Sequence, residues 1–208
     1  MDNPLIGYYQ NGNYVVKFYS NGTKIKQTPA DKFVAEFPDS IDLKITDYCD
    51  KNCPMCHEKS NILGLHGDFN EEFLKTLRKG TELAIGGGNP LAHPNLEAFL
   101  KDMKNRGVVC SLTINGSHLI ADNERIQALI QNKLIYGLGI SIQEYNQEIV
   151  DFAQKYPNAV LHLINGVFTE FDKLFDKSLK ILILGYKKFG KGVMKECIQY
   201  LENLKKTI

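Results

Sequence analysis

Residues 41–57 read Ile41-Asp42-Leu43-Lys44-Ile45-Thr46-Asp47-Tyr48-Cys49-Asp50-Lys51-Asn52-Cys53-Pro54-Met55-Cys56-His57. The first six form a strand candidate, and that strand runs straight into a loop with CxxxCxxC spacing. Such spacing brings three thiols to one side of a tight loop, and soft thiolates suit iron–sulfur clusters, zinc or copper. Three ligands rather than four leave one metal position open to an outside ligand, as catalysis needs and a purely structural site avoids.

Outward from this strand, further strand candidates lie at 82–85, 108–113, 136–142, 159–164 and 180–184. Several are near-continuous apolar runs, the pattern of strands covered on both faces. Helical patterns occupy 70–78, 95–106, 123–131, 147–155 and 169–175, and Gly190 and Gly192 precede a last one at 193–205. Asn70 ahead of Glu71 and Glu72 reads as an N-cap followed by first-turn acids. From residue 82 on, strand starts recur every 21–28 residues, a βα rhythm that implies a parallel barrel or a doubly wound sheet. Six units rather than eight make an open, partial (β/α)6 TIM-like barrel the economical α/β fold. Ligands then belong at the C-terminal ends of the strands.

Ahead of the barrel, residues 1–38 read as a small antiparallel β-meander, with the barrel spanning 39–208. Asn11-Gly12 and Asn21-Gly22 are flanked by β-branched and aromatic residues, and both residue types tolerate the positive φ of hairpin turns. The meander is expected to cap the barrel bottom, the alternative being strand addition to a partner.

The 208 residues carry 25 Lys and Arg against 24 Asp and Glu, a net charge of +1. This argues against a broad basic surface, so nucleic acid is not indicated as a partner. No apolar run approaches the roughly 18 residues of a membrane span, and Met1-Asp2-Asn3-Pro4 opens no secretory signal. A cytoplasmic protein is expected. Five cysteines in such a compartment point to metal or redox chemistry rather than to bridges. Cys110 alternates with Ser111 and Thr113 and is expected to pack between barrel and helices; Cys197 is expected in the core.

Two readings compete for the cysteines before any family is considered. Cys53-Pro54-Met55-Cys56-His57 matches CxxCH, the attachment site of c-type haem, but no export signal is visible and Cys49 is surplus. A zinc knuckle with His57 or His66 as fourth ligand stays open, although adjacent Cys56 and His57 fold awkwardly onto one ion.

A third reading rests on resemblance. The cysteine spacing, placed after the first barrel strand, resembles the signature of the radical S-adenosylmethionine (radical SAM) superfamily. Gly86-Gly87-Gly88-Asn89-Pro90-Leu91-Ala92-His93-Pro94 follows the second strand and resembles that family's GGE-P motif. Leu112-Thr113-Ile114-Asn115-Gly116 resembles its T-N-G stretch. The resemblance covers roughly residues 41 to 185 and implies a [4Fe–4S] cluster on Cys49, Cys53 and Cys56, with SAM bound to the fourth iron. An electron from the cluster then cleaves SAM, giving a 5′-deoxyadenosyl radical that abstracts hydrogen from a substrate. That substrate is unknown: a small molecule, a peptide or a protein. A reductant such as flavodoxin or ferredoxin is implied as well.

The implied SAM contacts are Gly86, Gly87 and Gly88, whose missing Cβ atoms let backbone approach a ligand, together with Asn89, Asn115, Ser141, Met55 and Tyr186. Asn89 stands where the family usually has Glu, and Met55 where an aromatic residue is common. His57, Glu58, His66 and His118 lie on the same face as possible substrate contacts. With only Cys110 and Cys197 outside the loop, a single-cluster member is expected. Compact glycyl-radical-enzyme activases acting on a protein partner are the alternative, as is a non-catalytic cluster- or SAM-binding protein on the same fold.

Overall fold

The computed structural model describes residues 3–194 of the chain. It begins with an antiparallel meander of β1 (Leu5–Asn11), β2 (Tyr14–Tyr19) and β3 (Lys24–Gln27), in that spatial order. The first hairpin turns one residue later than the Asn-Gly pair suggests. Asn11 ends β1 opposite Tyr14, and its fully buried side chain donates to Phe37 O at 2.9 Å and Asp39 Oδ1 at 2.7 Å. A buried polar network thus takes the residue that turn chemistry alone assigns to the loop.

Six parallel strands follow: β4 (Ser40–Thr46), β5 (Glu82–Gly87), β6 (Val109–Asn115), β7 (Gly137–Ile142), β8 (Ala159–Ile164) and β9 (Ile181–Leu184). Each pairs with its sequence neighbours, in order from β4 to β9. A doubly wound sheet reverses its order at a switch point; this one does not, and its strands succeed one another as the staves of an open barrel do.

The outer helices are α1 (Glu72–Lys75), α2 (Leu96–Asn105), α3 (Gly116–Ala121), α4 (Asn123–Gln131) and α5 (Gln147–Lys155). Three departures from the sequence pattern have physical causes. The helix expected at 70–78 is a single turn, because Asp68 takes both amide groups of Asn70 and the Thr76 hydroxyl closes onto Phe73 O. The helix expected at 169–175 is a 3-10 turn, Phe171–Leu174, whose i,i+3 pair Phe171 and Leu174 is buried together, as that tighter geometry allows. Finally, α3 starts directly at Gly116, capped by Asn115, where the sequence indicated only a turn. The helix expected at 193–205 and Cys197 lie outside the described residues, beyond a 3-10 turn at Gly190–Met194.

Strand alternation divides the barrel into two chemistries. Outward-facing Leu83, Ile85, Leu112, Ile114, Leu138, Ile140, Leu161 and Leu163 are at most 2% exposed and form the core with α2, α4 and α5. Each such side chain contributes about 1.5–3 kcal/mol of transfer free energy. Cys110 joins this layer, and burial pushes its thiol up to about 12. The inward face is small or polar, with Gly139, Ser111, Thr113, Ser141 and His162.

The meander lies under the N-terminal ends of the strands. Lys24 Nζ reaches Glu82 Oε1 at 3.0 Å, Tyr9 OH donates to Asp39 Oδ1 at 3.0 Å, and Glu82 N donates to Asp39 O at 2.9 Å. Among the described residues no helix is long and apolar enough to cross a membrane.

Candidate active site

At the C-terminal ends of the strands the loop from 47 to 67 folds back along itself. Asp47 N donates to Leu65 O at 2.8 Å, Asn61 N to Asp47 O at 3.1 Å, and Cys49 N to Asn61 O at 2.9 Å. Cys56 N closes a turn onto Cys53 O at 3.1 Å. All three thiols are free and half-buried, and all three line one cavity of about 440 Å3. Burial pushes the Cys49 thiol up, and Asp50, Cys53 and Cys56 push it the same way.

Two distant segments hold the loop. His118, 3% exposed on α3, places Nε2 2.7 Å from Asp50 Oδ1, next to Cys49. Burial raises the Asp50 carboxyl, but the His118 bond, a backbone N–H and the nearby Lys51 charge together outweigh it and leave the group below its ordinary range. On the other side Lys191 N donates to Cys56 O at 2.9 Å, and its ammonium reaches Asn52 Oδ1 at 2.5 Å and Ser60 O at 3.2 Å.

The glycine run after β5 divides its labour. Gly86 lines the cavity, and a Cβ there meets nothing within 4 Å. Gly87 and Gly88 line it too, but are pressed against the segment that leads into the cysteine loop. A Cβ on Gly87, at φ +120°, lies 2.4 Å from Thr46 O, and one on Gly88 lies 2.1 Å from Tyr48 O. Gly88 N donates to Thr46 O at 2.8 Å and Asn89 N to Tyr48 O at 2.6 Å. The close approach that these two glycines permit is therefore to the chain's own loop.

Of the residues that the resemblance assigned to SAM, the structure brings Gly86, Gly87, Gly88, Asn115, Ser141 and Met55 around the cavity. Asn89 and Tyr186 are not among its lining residues. The Asn89 side chain is buried and accepts from Leu91 N at 3.2 Å, opening the 3-10 turn Pro90–Ala92. Asn115 lines the cavity while its Oδ1 accepts from Ser117 N and Oγ. His57 and Glu58 line the cavity; His66 and His118 do not. His66 pairs with Thr46 Oγ1 at 2.9 Å.

Sequence reasoning missed three residues here. Gln143 Nε2 donates to Cys53 Sγ at 3.4 Å; it lies two beyond Ser141 and shares its face, so strand alternation carried past the strand end locates it. Lys44 points inward from β4 and joins Asp47 at 2.5 Å and Glu58 at 3.3 Å. His162, a polar residue in the middle of an apolar strand, lines the cavity, and burial lowers its basicity.

The radical SAM superfamily model matches residues 43–166, more than half of the chain. The chain belongs to the radical SAM superfamily. Members of this superfamily use a [4Fe–4S] cluster and SAM. Over 138 residues the chain is 30% identical to the tungsten-containing aldehyde ferredoxin oxidoreductase cofactor-modifying protein of Pyrococcus furiosus, covering 62% of this chain and 35% of that protein. Streptococcus suis SuiB, solved bound to the precursor peptide SuiA, matches with a TM-score of 0.62 at 13% identity, over 84% of this chain and 46% of that one. The second likeness is one of fold. This radical SAM chain spans about a third of the first relative and less than half of the second.

The site fits the family's cofactors. A [4Fe–4S] cluster spreads three thiolates over three irons, so it needs a rim of cysteines with space between them rather than convergence on one point. Among the described residues no three His, Cys, Asp or Glu side chains converge on a single ion position, while the three thiols do share one cavity wall. Gly86 leaves open space beside them.

Proposed function

We propose that the protein is a single-cluster radical SAM enzyme that abstracts hydrogen from a peptide or protein substrate. The observation that carries this reading is the convergence of Cys49, Cys53 and Cys56 with Gly86, Asn115 and Ser141 on one cavity at the C-terminal strand ends. When bound, the cluster supplies the electron that cleaves SAM and so generates an organic radical.

The chain's own residues do the rest. Cys49, Cys53 and Cys56 would hold the cluster by three of its irons and would leave the fourth open to SAM. Gln143 donates to Cys53 Sγ, and such donation to a ligand sulfur raises the potential of a cluster. Gly86 offers backbone carbonyl and room to the SAM ammonium; Ser141 and Asn115 face its ribose or carboxylate side. Met55, 9% exposed, supplies a flexible apolar surface for adenine. Lys44, Glu58 and His162 form the polar floor on which a substrate is oriented. The peptide or protein class is supported by the open barrel mouth and by a fold neighbour solved with a precursor peptide.

Anaerobic purification with iron, sulfide and SAM-cleavage assays tests the proposal. About four irons per chain, and 5′-deoxyadenosine formed on reduction, are expected. Stoichiometric zinc without sulfide refutes it. Bound SAM that no reductant cleaves favours the non-catalytic alternative.

A further inference from the structure

We propose that the turn at 59–65, with the lysines that border the cysteine loop, is the docking surface for a small acidic one-electron carrier protein. The inference rests on the cluster reading above and adds the partner's place and chemistry.

The turn presents Ile62, Leu63 and Leu65 at 65%, 84% and 80% exposure. Single exposed aliphatic residues are ordinary, but three at one tip mark an interaction surface. The tip is also built firmly. Leu63 N donates to Asn61 Oδ1 at 2.8 Å and Gly64 N to Asn61 O at 3.1 Å, while Asn61 O accepts from Cys49 N at 2.9 Å. Gly64 lies so close to the opposite strand of the loop that a Cβ comes within 2.1 Å of Asp47 O. The apolar tip is therefore one hydrogen bond from a cysteine of the site.

Charge supplies the partner's chemistry. The loop's carboxylates, Asp47, Asp50 and Glu58, are each engaged by a lysine. Lys59, Lys187 and Lys188 have no carboxylate partner among the described residues, and all three are exposed. Lys187 lies beside the cysteine loop, its ammonium 3.1 Å from His57 Nε2, so the loop that carries the apolar tip is bordered by lysines and has no unengaged carboxylate of its own. Electron-transfer encounters use small interfaces of this kind, with opposite charge steering the approach.

Position distinguishes an electron donor from a substrate. Cavity-lining residues of the loop fall between Cys49 and Ser60, and none lies at 61–65. A partner seated on the tip reaches the cysteines from outside the cavity, where electrons have to enter and a substrate has no business. In the step itself the carrier loses one electron and the cysteine-held cluster gains it; no bond forms or breaks.

The test uses the full, anaerobically reconstituted chain with reduced flavodoxin as the probe carrier. Cluster bleaching is followed by stopped flow, with dithionite as the small-molecule control. The flavodoxin rate is expected to fall at least about fivefold on raising salt from roughly 0.02 to 0.3 M. Leu63→Asp and Lys188→Glu are expected to lower it similarly, each leaving dithionite reduction unchanged. Flavodoxin rates in both variants equal to that of the unaltered protein overturn the docking surface. Variants that keep the flavodoxin rate but lose affinity for a peptide substrate reassign the tip to substrate and overturn it too. Protein that holds no iron and fails to bleach with dithionite refutes the cluster reading itself, a distinguishable result.

Discussion

The barrel is hollow at both ends, and the two hollows differ in what surrounds them. The N-terminal one, between meander and strands, is the larger, at about 890 Å3 against about 440 Å3. Beside it, polar groups satisfy one another: Asp39 accepts from Tyr9, Asn11, Tyr14 and Lys26. At the C-terminal end, Ser141, Thr113 and His162 face the space without side-chain hydrogen bonds among the described residues, and three thiols stand free. Volume does not locate a site; unpaired chemistry around the volume does. In barrels of this kind the C-terminal face carries chemistry and the opposite face stability.

The largest expected effect breaks the C-terminal end alone. Replacing Cys49, Cys53 and Cys56 together with Ala should remove the brown colour and essentially all of the roughly four irons, while the urea midpoint of the iron-free proteins stays the same. Iron and sulfide analysis beside denaturation curves checks both halves. A variant that keeps its cluster would detach that end's chemistry from the CxxxCxxC loop.

Next comes a contrast inside the glycine run. Gly88→Val drives a Cβ into Tyr48 O, so it should displace the cysteine loop, lower iron loading severalfold and weaken SAM binding with it, since overpacking of this kind costs about 1–3 kcal/mol or more. Gly86→Ala meets open space and should load iron normally while weakening SAM binding about tenfold, roughly 1.4 kcal/mol. Iron analysis and equilibrium dialysis with labelled SAM separate the two. Equal behaviour would mean that the run acts as one unit.

That contrast marks where sequence reading stops. Strand positions were legible because apolar runs separated by helical patterns leave few alternatives: the strand expected at 159–164 is β8, and the one at 136–142 begins one residue later. The cysteine loop and glycine turn were legible as motifs. What each glycine touches was not, because Gly88 meets Tyr48 across 40 residues of chain. Gln143 and Cys53 are 90 residues apart, and nothing local announces their contact. The 169–175 segment has a helical composition but closes as a 3-10 turn once Phe171 and Leu174 are buried, a tertiary effect overriding propensity.

The third effect belongs to the N-terminal end. Burial raises the Asp39 carboxyl, but hydrogen bonds from Lys26, Tyr14, Asn11 and Tyr9 outweigh it and hold the group well below the usual carboxylate range. A depressed folded-state pKa stabilises the fold above the unfolded value, so stability should decline as pH falls below about 4. Tyr14 works at the other extreme, since burial and Asp39 push its phenol up to about 12. The phenol ionises in the unfolded chain first, so stability should also decline as pH rises above about 10. Asp39→Ala should cost about 3 kcal/mol at neutral pH, having left the Tyr9 and Tyr14 hydroxyls without their acceptor and Asn11 with one acceptor fewer, and should flatten the acid limb. Urea titrations across pH measure this, and iron loading should not change. Lost loading would couple the two ends.

The smallest expected effect concerns Asn89, which sits in the glycine turn's sequence but not in its cavity. Its Oδ1 accepts from Leu91 N at 3.2 Å inside a buried 3-10 turn, while its backbone N–H holds Tyr48 O at 2.6 Å. Asn89→Ala keeps the backbone bond to the cysteine loop and loses only the side-chain bond, at a cost of about 1 kcal/mol of stability. SAM affinity should change by less than about twofold, since no ligand bond is lost. Here the family's usual Glu and this chain's amide make opposite demands: a carboxylate serving a ligand has to leave the turn, whereas the amide is already occupied within it. A tenfold loss of SAM affinity in Asn89→Ala would mean that the amide swings out of the turn when SAM binds. It would also move the boundary between the part of this loop that supports the cysteines and the part that reads the ligand.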